Sequence, residues 1–172
     1  MASSASIASL TPETTRDTVN TGLDVDYRKD ISKDLSDILA ATYRLTIKSH
    51  VYHWNVVGPV FKPIHDLTEE HYNALFGATD IIAERIRALG YLAPVNLDGM
   101  KTFAPAKSDI DQSSAHEMVQ DLIAEHEQAC RDARKAGEKA GDNGDLVTED
   151  MLTERLTFHE KACWMLRAII AS

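Results

Sequence analysis

Long apolar runs are missing from this 172-residue chain: no stretch approaches the roughly 18 uninterrupted apolar residues that a membrane span requires. Basic residues are scarce, 18 Lys and Arg against 27 Asp and Glu, and the formal charge of −9 argues against unassisted nucleic-acid binding and suits cations as partners. Only two cysteines occur, Cys130 and Cys163, far apart and in no CxxC spacing. They read as buried, reduced helix residues rather than as a disulfide or a metal pair, which fits a reducing, cytoplasmic compartment. The opening segment MASSASIASLTPETTRDT lacks a basic stretch followed by an apolar one, so no secretory signal is expected. Its Ser/Thr bias instead predicts a disordered tail over residues 1–20, leaving 21–172 as one domain. Strand-like alternation and internal repeats are also lacking, so the chain reads as all-α.

Four helical segments remain. The first, about residues 29–56, repeats Ile31, Leu35, Ile38, Leu39, Leu45 and Tyr52 at helical intervals and ends at Gly58-Pro59. The second runs from about Pro63, tolerated in a first turn, to Gly90, a C-terminal cap, with Leu67, Leu75, Ile82, Ile86 and Leu89 as its apolar stripe. Ser114 and Glu117 spell a capping box that opens the third, which continues to about Ala140; the fourth spans about Thr148 to Ala171. The first and third connections are short and make antiparallel neighbours. The middle one, GYLAPVNLDGMKTFAPAKSDIDQSS, is long enough to cross the length of a bundle. One long crossover in a four-helix bundle is the ferritin-like arrangement, and a short helix is expected inside that crossover.

The Gly-Pro break in HWNVVGPVFKPIH reverses the chain between His53 and His65, so two histidines twelve residues apart arrive at the same end of the bundle. The other five, His50, His71, His116, His126 and His159, read as ordinary hydrogen-bonded helix residues. On the second helix, at about 100° per residue, His65, Glu69, Asp80 and Glu84 fall near 0°, 40°, 60° and 100°, on one side. Mixed imidazole and carboxylate donors suit iron, manganese or zinc. However, the fifteen residues from His65 to Asp80 amount to about 22 Å of helix, while a metal–ligand bond is about 2 Å. One ion cannot bridge that gap. A single chain therefore carries two half-sites, which two antiparallel copies of the helix would complete twice about a two-fold axis. The competing reading, in which Asp80 and Glu84 form a solvated face and His65 caps locally, stays open on spacing alone.

The run HWNVVGPVFKPIHDLTEEHYNALFGATDIIAERIRALG resembles the Dps family, the DNA-binding proteins from starved cells or mini-ferritins, most densely over residues 49–90 and in helix order from about residue 29 onward. The absence of a Glu-x-x-His motif favours that geometry over the intra-subunit centre of full-size ferritins. The resemblance implies a twelve-subunit cage that oxidises Fe(II), typically with hydrogen peroxide, oxygen being the other acceptor, and stores ferric mineral, so protecting against oxidative damage. It implies a dinuclear iron centre with His53 and His65 from one subunit and Asp80 and Glu84 from its partner, with Glu69 assisting a second iron, Trp54 beside the centre, and zinc or manganese as competitors. It also implies that Asp145, Asp150 and Glu154 line an iron-uptake pore, although on spacing alone they equally fit a turn and a helix N-terminal charge preference. The chain departs from the family's DNA-coating pattern. Residues 1–27 carry one basic residue, Arg16, against Glu13, Asp17, Asp24 and Asp26, and Ser172 follows directly on the last helix, so weak DNA binding is expected. A nucleoid-compacting DNA-binding protein is the alternative function.

Overall fold

The computed structural model describes residues 13–15, 18–94 and 113–171. Four helices fill them: α1 (Val25–Asn55), α2 (Phe61–Ala88), α3 (Ala115–Asp142) and α4 (Leu146–Ile170). No helix among the described residues is long and apolar enough to cross a membrane. The pairs α1/α2 and α3/α4 pack most intimately, and α1/α3 with α2/α4 contacts close the bundle. This is the ferritin-like order, with one long connection between Leu89 and Ser114. The short helix expected within that connection, and most of the expected tail, lie outside the described residues. Glu13, Thr14 and Thr15 of that tail lie against the residues that follow α2. Thr14 forms an antiparallel bridge with Tyr91, the Thr15 amide donates to the Gly90 carbonyl at 3.0 Å, and the Leu92 amide donates to the Glu13 carbonyl at 2.7 Å.

The helix ends follow from local chemistry. α1 starts four residues before its expected position because Asp24 caps it, its carboxylate accepting from the amides of Asp26 (2.8 Å) and Tyr27 (3.1 Å). The Ser114 hydroxyl accepts from the Glu117 amide at 3.2 Å while the Glu117 carboxylate accepts from the Ser114 amide at 2.9 Å, the reciprocal capping box its sequence spells. α4 likewise starts early, at Leu146 rather than Thr148, because Asp145 caps it. Beyond α2, Gly90 adopts φ +94°, and a Cβ there would meet Val19 at 3.0 Å and the Arg28 guanidinium at 3.1 Å. That guanidinium donates to the carbonyl of Leu89, the C-cap of α2, at 2.9 Å.

The apolar core has two parts. One, around Ile31, Leu35, Ile82, Ile86 and Leu152, lies at the α3–α4 turn end; the other, around Leu45, Ile64, Leu75, Leu122 and Leu166, lies at the α1–α2 turn end. Full burial of each such side chain contributes about 1.5–3 kcal/mol. Between them sits a polar layer that includes Thr42, His126, Arg155 and His159, all buried. The second core, packed under the α1–α2 turn, holds the ends of those helices together and so fixes where His53 and His65 meet.

Candidate metal centre

His53 occupies the last turn of α1 and His65 the first turns of α2, and the Gly58 turn (φ +98°) folds one over the other. Their rings stack with centroids 3.7 Å apart and 19° between planes. Each Nδ1–H donates to the other residue's backbone carbonyl, His53 to His65 at 2.8 Å and His65 to His53 at 2.9 Å. A carbonyl oxygen can only accept, so both Nδ1 atoms carry hydrogen and, in the neutral ring, each Nε2 keeps its lone pair. This reciprocal pairing fixes tautomer and ring orientation, the usual arrangement of a metal-binding imidazole. Glu69, one turn beyond His65 on α2, completes the set. Ligand atoms of His53, His65 and Glu69 lie within 4.8 Å of one another, the sole such group of three among the described residues.

Asp80 and Glu84 are exposed on α2, four residues apart, and belong to no such cluster within the chain. Helix rise sets them about 22 Å or more from His65. The chain thus brings His53, His65 and Glu69 together and leaves Asp80 and Glu84 apart. Trp54 projects outward, 67% exposed, with its ring 5.2 Å from that of His50 and nearly parallel to it. His50 also packs on Tyr72, centroids 3.8 Å apart, and Tyr72 stands edge-on to His53 at 5.4 Å while bonding Glu69. Burial, and then the charge of His53, lowers the His50 pKa. Sequence inspection overlooked Tyr72. The available signal was its place seven residues after His65, two turns along the same face.

The proposed pore trio separates. Asp145 faces inward, 2% exposed, and its carboxylate accepts from Arg85 (2.7 Å), from the Tyr27 hydroxyl (2.9 Å) and from the amide and hydroxyl of Thr148 (3.1 and 2.7 Å). Burial raises its pKa, but the bonds from Thr148, Arg85 and Tyr27 outweigh this and leave it below the ordinary value. Within the chain Asp145 is therefore a helix cap and an ion-pair partner of Arg85. Asp150 and Glu154 stay exposed in a shallow depression that includes Ile81 and Glu149, and Glu154 lies 3.1 Å from Arg155.

Among the histidines read as ordinary, His116 bonds Gln120 at 2.9 Å on the surface, as expected. His71, His126 and His159 are instead gathered in the bundle interior, and His71 Nδ1 and His126 Nε2 have no hydrogen-bond partner.

The family profile for a ferritin-like domain matches residues 32–172. An uncharacterised low temperature-induced protein of Nostoc sp. is 40% identical over 154 residues, 88% of this chain and 86% of that protein. A DNA protection during starvation protein of Mycolicibacterium smegmatis is 34% identical over 151 residues, 82% of this chain and 79% of the relative. The solved Dps structure from Vibrio cholerae O1, described as a member of a broad superfamily of ferritin-like diiron-carboxylate proteins, superposes with a TM-score of 0.80 at 27% identity. That superposition covers 92% of this chain and all of the other. Fold, profile match and these relatives agree: the chain belongs to the ferritin-like domain family and, within it, to the Dps proteins.

Proposed function

We propose that the protein is an Fe(II)-oxidising, iron-storing mini-ferritin whose dinuclear centres form between two chains related by a two-fold axis. The His53/His65/Glu69 cluster carries this reading: two imidazoles oriented by reciprocal Nδ1–H bonds with their Nε2 lone pairs free, and a carboxylate within 4.8 Å. Iron is the substrate of this centre. Asp80 and Glu84 supply the anionic donors that favour Fe(III), and they come from the partner chain because helix length keeps them from the histidines of their own. Antiparallel docking of two α2 helices, with the axis midway between residue 65 and residues 80–84, builds two such centres. The outer α2 face and the adjoining turn support such docking, since Phe61, Phe76, Trp54 and Val57 expose 40–73% of their surface there.

In this scheme hydrogen peroxide accepts one electron from each of two Fe(II) ions and, with two protons, leaves as two water molecules; no one-electron reduction product is released. The neutral histidines bind Fe(II) more loosely than the carboxylates bind Fe(III), so oxidised iron can move on to a mineral core inside a twelve-chain cage. A cytoplasmic protein guarding against peroxide fits this chemistry. The test is an Fe(II)/peroxide assay on assembled protein carrying His53→Ala with His65→Ala. The expected initial rate is about 100-fold below the parent, since even groups that only orient metal ligands are worth about 10–100-fold. An unchanged rate excludes this centre.

The name DNA protection during starvation, borne by several relatives, prompts the second reading, of DNA compaction. Phosphate neutralisation needs clustered Lys or Arg, and the sequence pI of about 5.2 with one basic residue in the first 27 offers little of it. We expect no retardation of duplex DNA in a gel-shift at neutral pH, low salt and without divalent cations; tight retention there would favour compaction.

A further inference from the structure

Between the two halves of the core, a hydrogen bond joins α3 to α4 through imidazole alone. Nδ1 of His126 and Nδ1 of His159 face each other at 2.9 Å, and the two residues are 0% and 4% exposed. In the neutral pair one ring donates its Nδ1–H and the other accepts with a lone pair. His126 Nε2 is buried without a partner. A cavity of about 20 Å³, room for about one water molecule, reaches His159.

Among the described residues, the groups that face this pair are cationic, neutral or already engaged. On α4, Arg155 lines the same cavity as His159, and its own partner is the exposed Glu154 at 3.1 Å. From α2, the His71 ring stands edge-on to His126 with centroids 5.1 Å apart. From α1, Arg44 and Lys48 pair with Glu125 of α3 at 3.4 and 2.7 Å, and Lys48 also holds Asp121 at 2.9 Å. Asp132, the other carboxylate on the cavity wall, accepts from Gln128 at 2.8 Å. Cys130 and Cys163, one turn further along the same two helices, are thiols whose pKa burial raises.

We infer that the His126–His159 pair is an acid-sensitive latch: neutral, it ties α3 to α4 across the core, and protonated, it forces the middle of those helices apart. A first added proton places an imidazolium charge in a buried site with no counter-ion. A second removes the accepting lone pair and sets two N–H groups head to head. Burial, and then the charge of His159, holds the His126 pKa well below its ordinary value; burial, and then Arg155, lowers that of His159 to about 4. These directions set the sign. Rings that stay neutral in the closed bundle and protonate near 6.5 once it opens make opening easier as pH falls below about 6.5. The effect levels off only where the closed ring protonates in turn, at about 4 for His159. Within that window each ring contributes up to about tenfold per pH unit.

The test is hydrogen exchange read by mass spectrometry on the metal-free protein from pH 7 to pH 5, corrected for the intrinsic pH dependence of exchange. His126→Leu/His159→Leu is measured alongside, since apolar groups on both helices keep the layer filled and remove the titrating pair. In the wild type, peptides covering residues 122–130 and 155–163 should open about 100-fold more readily at pH 5 than at pH 7, and the leucine variant should lose most of that change. Equal wild-type protection at both pH values in those peptides sinks the latch, a result that stands even if the leucine variant does not fold. An undiminished acid response in the variant, or one confined to the α1–α2 turn where His53 and His65 lie, would also overturn it.

Discussion

Mixing two inactive variants should restore about a quarter of wild-type iron oxidation. Chains carrying His53→Ala with His65→Ala retain Asp80 and Glu84; chains carrying Asp80→Ala with Glu84→Ala retain the histidines. Each homodimer then has two broken centres, and its rate falls by about 100-fold or more. In a heterodimer, one centre joins the intact histidines of one chain to the intact carboxylates of the other, while the second centre lacks both halves. Random pairing makes about half of all dimers mixed, and one of their two centres is whole, so about one quarter of centres survive. The measurement is the initial Fe(II)/peroxide rate after the two proteins are co-dissociated and reassembled, against each variant reassembled alone. An intra-chain centre predicts no recovery at any mixing ratio. This outcome follows from length alone, because fifteen residues of helix cannot fold back on themselves.

The separation of Asp80 and Glu84 from the histidines of their own chain was legible in the sequence because it depends only on helix rise, which the order of residues determines. The Gly58-Pro59 break likewise announced that His53 and His65 would meet. The reciprocal Nδ1–H bonds to each other's carbonyls were not legible, since they depend on how the turn aims two backbone carbonyls. The histidine layer was missed for a different reason. His71, His126 and His159 lie on three helices and stand 55 and 33 residues apart, and each alone looks like an isolated helical histidine. Only the rotation of α2, α3 and α4 about their own axes points all three inward. Helix starts shifted wherever an aspartate cap lay outside the apolar repeat, as Asp24 does before α1. Asp145 shows the same limit, because its main partner, Arg85, is 60 residues away on α2.

Replacing Asp145 should therefore damage stability and spare iron oxidation. Its carboxylate caps α4 through Thr148, neutralises Arg85, whose side chain is only 14% exposed, and accepts from Tyr27, so it ties α1, α2 and α4 at one corner of the bundle. Asp145→Ala removes the cap, worth about 1 kcal/mol, and leaves a largely buried guanidinium and a phenol without their acceptor. Loss of one partner from a buried ion pair costs about 3–5 kcal/mol, and the partial exposure of Arg85 places the total near the lower end, about 3 kcal/mol. For a chain of this length that is roughly 6–12 °C in Tm. Asp145→Asn keeps an acceptor for the Thr148 amide and loses the charge, so it should fall between wild type and alanine. The pH dependence has a definite sign. A carboxylate held below its ordinary value contributes stability that is complete above the unfolded pKa and fades as pH falls through the folded one. The gap between wild type and Asp145→Asn should be constant from about pH 6 to 8 and close below about pH 4. Thermal unfolding followed by circular dichroism across that range measures it. A gap that widens on acidification, or an alanine variant as stable as the wild type, would return Asp145 to the exposed acidic surface beside Asp150 and Glu154.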